Sequence, residues 1–251
     1  VKPLLELEGI RAGYAQADVL QGLDLRVEEH EVVCVIGPNG AGKSTVFNVI
    51  YGFVPVRAGR ILFRGEDVTG SSPRGMLHRG ITIVPQERSL FPQMTVIENL
   101  ELGMYLVRDR RRVQERIAYV LELFPDLALR ARQLVGTMSG GEQRMVEIGR
   151  ALMWEPQLLL MDEPTAGLAP KISAAVLETV LRLNRQLGIA VLLIEQNARQ
   201  GLQVSHRGFV MELGRVTHSD IGAELLNDPE VQRAFLGGPG YRRRSPGVVR
   251  E

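Results

Sequence analysis

The most constraining stretch of this chain is the string Gly37-Pro38-Asn39-Gly40-Ala41-Gly42-Lys43-Ser44-Thr45. It follows the apolar, β-branched run Val32–Ile36, which reads as a strand buried on both faces. It precedes residues 43–51, where Val46, Val49 and Ile50 share one helical face. The string matches G-x-x-x-x-G-K-[ST] in the strand–loop–helix context that this pattern requires. The glycines let backbone N–H groups turn inward around an anion, and the helix start adds its positive dipole end. A nucleotide phosphate suits such a cradle. Lys43 supplies a point charge for the β- and γ-phosphates, and Ser44 a hydroxyl for Mg²⁺.

A second half of the site is legible downstream. Leu158-Leu159-Leu160-Met161-Asp162-Glu163 is a buried strand that carries two acids to its end, where α/β sheets bind ligands. Asp162 is placed to hold Mg²⁺ and Glu163 to orient and polarise an attacking water. Alone, an apolar run ending in Asp-Glu is weak evidence. Behind a phosphate loop it becomes strong.

The rest of the chain reads as a frame around these motifs. Residues 4–11 and 21–27 alternate as strands, with further strands at 60–63, Ile81–Val84, 158–161 and Ala190–Ile194. Residues 207–213 and 215–218 flank Gly214 as a hairpin, and two short helices close the fold. Thr95-Val96-Ile97-Glu98 carries capping-box spacing, and Met145, Ile148 and Leu152 form a helical core stripe. The expected class is α/β: a mainly parallel sheet, an antiparallel β region near the start and an inserted helical subdomain. Residues 1–89 and 155–236 form the two parts of the core, 90–154 the helical insert, and 237–251 a flexible or partner-dependent tail rich in Gly, Pro and Arg.

Composition narrows the partners. The net charge of +1 makes no demand for nucleic acid. No run approaches the roughly 20 apolar residues of a membrane span, so a membrane role requires a partner. The single cysteine, Cys34, reads as a small buried core residue in a reducing compartment.

Ser139-Gly140-Gly141-Glu142-Gln143, lying between the two phosphate-site motifs, resembles the signature of the ATP-binding cassette (ABC) ATPases. Its plain reading is a capping box at a helix start, and the two readings are compatible. The resemblance covers nearly the whole chain and implies a P-loop NTPase core that hydrolyses Mg-ATP. It implies that Ser139, Gly140 and Gly141 grip the γ-phosphate bound to a second subunit, so that a monomer lacks a complete site. Tyr14 is similar to the aromatic that stacks on adenine, the competing reading being a strand-end core residue. Gln86 is similar to the glutamine-loop residue that touches Mg²⁺ or the attacking water. Gln196 stands where most members have a switch histidine, and Ala169 where most have an acid.

Within the family, Glu195-Gln196-Asn197-Ala198-Arg199, Ala166-Gly167-Leu168-Ala169-Pro170 and Leu225-Leu226-Asn227-Asp228-Pro229 most resemble the ATPases of branched-chain amino acid importers. Gln86 departs from that group, which often has Glu there. The resemblance implies a homodimer, or a heterodimer with a paralogous ATPase. It also implies integral membrane permease subunits, an indirect link to a substrate-binding protein, and a peripheral place on the cytoplasmic face of the inner membrane. The surface around Gln86, Phe91, Met94, Leu100, Met104 and Tyr105 is the expected permease contact, the competing reading being that at least half of these residues are core of the helical insert. The alternatives are a urea or lipopolysaccharide transport ATPase, a soluble non-transport ABC ATPase, and a cassette that binds ATP but hydrolyses it weakly.

Overall fold

Side chains in Val32–Ile36 alternate between two apolar cores, and that division organises the molecule. Val32, Cys34 and Ile36 enter one core, while Val33 and Val35 enter the other. The computed structural model describes residues 3–236. In chain order its strands and α-helices are β1 (Leu5–Ala12), β2 (Leu20–Val27), β3 (Val32–Ile36), α1 (Lys43–Ile50), β4 (Val56–Phe63), β5 (Glu66–Asp67), α2 (Pro73–His78) and β6 (Ile81–Val84). There follow α3 (Val96–Leu102), α4 (Arg110–Leu123), α5 (Pro125–Leu129), α6 (Gly140–Leu152), β7 (Leu158–Asp162), α7 (Pro170–Leu187), β8 (Ala190–Ile194) and α8 (Ala198–Gln203). The last are β9 (Arg207–Glu212), β10 (Arg215–Ile221), α9 (Gly222–Asn227) and α10 (Pro229–Phe235).

The larger sheet has the order β10-β9-β3-β8-β7-β6. Its strands β9, β3, β8, β7 and β6 run parallel, and β10 is an antiparallel edge. Strands β3, β7 and β8 are buried throughout, as expected where elements cover both faces of a parallel sheet. The smaller sheet, β2-β1-β4-β5, is antiparallel and alternates buried and exposed residues. One core packs it and α1 against the large sheet, and the other packs α3 to α7 on the opposite face. No helix among the described residues is long and apolar enough to cross a membrane.

Local chemistry explains several boundaries. The Thr95 side chain accepts from the Glu98 N–H while Glu98 accepts from the Thr95 N–H, so α3 starts on a reciprocal cap. Helix α7 begins at Pro170 and stops at Gly188, which takes the left-handed conformation at φ 67°. The charged run 108–112 starts α4, where Asp109 caps Arg111 and Arg112.

The structure also corrects the sequence reading. Strand β4 begins at Val56 rather than at residue 60. Helix α2 was not expected, although Ser72 before Pro73 is a start signal and the Ser72 side chain does accept from Gly75. Of the residues named for a partner surface, with core as the alternative, Leu100 and Met104 are core. Phe91 and Tyr105 are 54% and 77% exposed. The tail reading falls on residues 237–251, which lie outside the described residues.

Candidate active site

The phosphate loop is built at the C-terminal end of β3. Gly42 is the N-cap of α1, with φ 97°, a left-handed conformation that glycine adopts without a Cβ clash. The residues that follow present helix N–H groups toward a cleft of about 570 Å³ lined by Asn39, Gly40, Gly42, Lys43, Ser44, Thr45, Gln86, Glu163 and Gln196, with Val19 and Ala166. Ala41 belongs instead to the core. A larger groove, about 810 Å³, lies between Glu6, Asp24, Arg26, Arg215 and Asp220. It contains none of the phosphate-loop or acidic-strand residues and mixes charges of both signs, so size does not select the site.

Lys43 Nζ donates to the Gly37 and Pro38 carbonyls at 2.9 and 3.1 Å. Burial pulls its pKa down, and the carboxylates of Glu163 and Asp162 oppose that pull. Asp162, at the end of β7, is raised mainly by burial and by nearby Glu163, while Ser44 and Lys43 act in the other direction. Its Oδ1 is buried and has no hydrogen-bond partner. Such an orphaned oxygen calls for a ligand. A divalent cation fits: Asp162 Oδ1 and the Ser44 hydroxyl are hard oxygen donors, and Gln86 has an amide oxygen. Mg²⁺ takes one or two carboxylates plus substrate phosphates rather than a cage. No group of three or more His, Cys, Asp or Glu among the described residues offers a cage.

Glu163 follows β7 and has φ 44°, a left-handed backbone rare outside glycine. Its N–H donates to the Ile194 carbonyl at 2.9 Å, and its Oε2 accepts from Gln86 Nε2 at 2.9 Å. Gln196 Nε2 donates to Asn39 Oδ1 at 3.0 Å. Gln196, two residues past the end of β8, therefore meets the phosphate loop instead of hanging free at a strand end.

Tyr14 does not line the cleft. It is 51% exposed beyond the end of β1, which overturns the core reading, and its hydroxyl accepts from Asn48 Nδ2 at 2.9 Å. Arg57 braces the same loop by donating to Asp18 at 2.6 Å and to the Ala15 carbonyl at 2.5 Å. Ser139, Gly140 and Gly141 are also absent from the cleft of their own chain. Ser139 caps α6 through the expected box with Glu142. At Gly141 an added Cβ would fall 2.4 Å from Ile172 Cγ2 at the start of α7, so a larger residue there requires the partly exposed Ile172 side chain to shift.

Three side chains of α6 that the sequence reading passed over grip the loop after β6. Arg144 donates to the Pro85 carbonyl at 2.9 Å and pairs with Glu147 at 2.8 Å. Glu147 accepts from the Ser89 N–H, and Arg150 donates to the Ser89 carbonyl at 2.8 Å. The sequence shows their spacing along one helix face but not the loop they hold. Ala169 is the N-cap of α7 and provides no side-chain cap. Replacing Ala169 with Asp should supply one, worth about 0.5–2 kcal/mol. Thermal unfolding without nucleotide is expected to rise by about 2–4 °C per kcal/mol gained; an unchanged midpoint would show that the α7 start is already satisfied.

A strand–loop–helix phosphate cradle, a strand-end acid pair and a capped glycine helix start define an ATP-binding cassette ATPase. The family model for ABC transporters matches residues 20–166, and the chain belongs to that family. It is 42% identical to the high-affinity branched-chain amino acid transport ATP-binding protein BraG of Pseudomonas aeruginosa, across 94% of this chain and 100% of that protein. The lipopolysaccharide export system ATP-binding protein LptB of Escherichia coli is 34% identical, across 93% and 97%. A crystal structure of an ABC transporter's ATP-binding cassette in its ADP conformation superposes with a TM-score of 0.85 at 31% identity, covering 94% of this chain and 100% of that one.

Proposed function

We propose that this chain is the nucleotide-binding subunit of a branched-chain amino acid importer, hydrolysing Mg-ATP at an interface between two cassettes beneath a membrane permease. The observation that carries the chemistry is the convergence of Lys43, Glu163, Gln86 and Gln196 on one cleft, with the buried Asp162 oxygen beside it. Identity to BraG over its whole length, well above that to LptB, favours amino-acid import over lipopolysaccharide export.

In this reading the N–H groups at the start of α1 and the Lys43 ammonium hold the β- and γ-phosphates. Asp162, Ser44 and Gln86 hold Mg²⁺, which when bound neutralises phosphate charge. Glu163 accepts a hydrogen bond from the attacking water and polarises it, while Gln86 fixes the Glu163 carboxylate. Gln196 positions Asn39 and donates toward the γ-phosphate. Tyr14 stacks on the adenine. Ser139, Gly140 and Gly141 serve the site of the other cassette, which accounts for their absence from their own cleft. Residues 90–154 carry the permease contact, with Phe91 and Tyr105 as its exposed apolar members.

Uptake of labelled leucine by cells tests the transport assignment. Cells whose only copy of this subunit carries Glu163→Gln are expected to fall to background uptake while a non-ABC, ion-coupled uptake activity in the same cells is unchanged. Undiminished leucine uptake would remove the amino-acid reading and leave the ATPase chemistry standing.

A further inference from the structure

A buried carboxylate that the mechanism above does not use lies directly behind the catalytic turn. Glu195, the residue after β8, is 2% exposed. Both of its carboxylate oxygens lie 2.9 Å from Thr165 Oγ1, and Oε1 also accepts the Thr165 N–H at 3.3 Å. Thr165 is itself buried and stands two residues after Glu163. The neighbouring backbone adds a second tie, because the Glu163 N–H donates to the carbonyl of Ile194, the residue before Glu195. Glu195 is anchored in turn, its own N–H donating to the Val35 carbonyl of β3 at 3.3 Å.

The fold makes room for this side chain. A Cβ added at Gly201 in α8 would fall 3.0 Å from Glu195 Cβ and 2.6 Å from Cys34 Sγ, so only glycine lets α8 close over it. Burying an acid to hold a threonine is costly, and an apolar filler would pack at less expense. The polar choice is explained if the position of Thr165 matters. Glu163 has a left-handed backbone, and strained conformations persist only where the surroundings over-determine them.

We propose that Glu195 is a positioning residue for ATP hydrolysis, clamping Thr165 so that the turn after β7 presents the Glu163 carboxylate to the attacking water. The proposal rests on the reading of Glu163 as the water-polarising group. Burial raises Glu195 to about 7, with the charge of Glu163 adding to the effect and the Thr165 hydrogen bonds opposing it. The Cys34 thiol, which faces it from β3, is pushed up by its own burial and stays neutral. A protonated Glu195 suits the geometry: one oxygen donates to Thr165 Oγ1 while the other accepts from it.

Steady-state turnover and ATP binding of the purified full chain test the clamp. Glu195→Ala is expected to lower kcat at least tenfold while the Kd for ATP stays within twofold. Glu195→Gln can accept the Thr165 N–H and bond its hydroxyl, and is expected to keep at least a third of wild-type kcat. Thr165→Val should fall like Glu195→Ala, and the double variant no further, as required of two groups acting as one unit. Wild-type kcat in Glu195→Ala would overturn the proposal, as would equal losses in the Ala and Gln variants. A parallel loss of ATP binding would also overturn it, because Glu195 would then be serving the fold. If Glu163→Gln itself turned over normally, the reading of Glu163 would fail first, and the two failures are distinguishable.

Discussion

Glu163→Gln is expected to reduce ATP turnover by about 10²–10⁴-fold, the usual contribution of a positioned general base, with ATP affinity retained. Glutamine has the shape of glutamate, and its carbonyl can still accept from Gln86 Nε2, which lies 2.9 Å from Glu163 Oε2. What is lost is the charge that polarises water. The left-handed backbone at position 163 is fixed by the bond to Ile194 and by the Thr165 clamp, and neither depends on the carboxylate. Steady-state phosphate release alongside equilibrium binding of a fluorescent ATP analogue separates the two properties. Turnover near wild type would mean that another group activates the water.

Lys43→Ala is expected to lower both binding and turnover, the latter by about 10²–10³-fold if it resembles removal of one preorganised donor to developing charge, about 2.7–4 kcal/mol. Lys43 is held in the cleft by the Gly37 and Pro38 carbonyls and lies near Glu163 and Asp162. Its removal takes the one lysine out of the cleft lining and leaves Arg144 as the remaining cation acting on Asp162. Lys43→Arg should not rescue, because the planar guanidinium is larger and matches a different geometry. Full activity in Lys43→Ala, measured at saturating ATP, would mean that the phosphate loop is not where hydrolysis occurs.

What the sequence made legible was local. Val32–Ile36 and Ala190–Ile194 could be read to the residue, because a strand buried on both faces has no polar position to blur it. The phosphate loop, the Asp-Glu strand end and two capping boxes are contiguous strings whose chemistry needs only near neighbours. Strand β4 was read short because Arg57, Ala58 and Gly59 offer no apolar alternation, although Ala58 pairs with Arg11 across the sheet. Leu100 and Met104 could not be divided between a partner surface and the core because a helix face does not announce what covers it; here the rest of the helical insert does.

The supporting contacts were illegible for a related reason. Glu195 and Thr165 are 30 positions apart, Gln86 and Glu163 are 77 apart, and Gln196 and Asn39 are 157 apart. No spacing rule relates them until the parallel sheet places the ends of β3, β6, β7 and β8 side by side. Glu195 could be seen in sequence only as an acid following an apolar strand. Such a residue ordinarily reaches solvent, and its burial comes from the close approach of α8 at Gly201.

The central claim of the proposed function is that ATP completes its site only between two cassettes, with the Ser139 helix of one facing the phosphate loop of the other. Size-exclusion chromatography with light scattering of the Glu163→Gln chain, with and without Mg-ATP, tests it most directly. The mass is expected to double with Mg-ATP and to return to that of one chain when nucleotide is removed. Adding Ser139→Arg, which fills the phosphate seat with a bulky cation, should leave the mass at one chain even when ATP is bound. A Glu163→Gln chain that binds ATP yet stays monomeric both alone and with a paralogous cassette of the same transporter added, or a doubly substituted chain that still dimerises with ATP, would contradict the shared-site account.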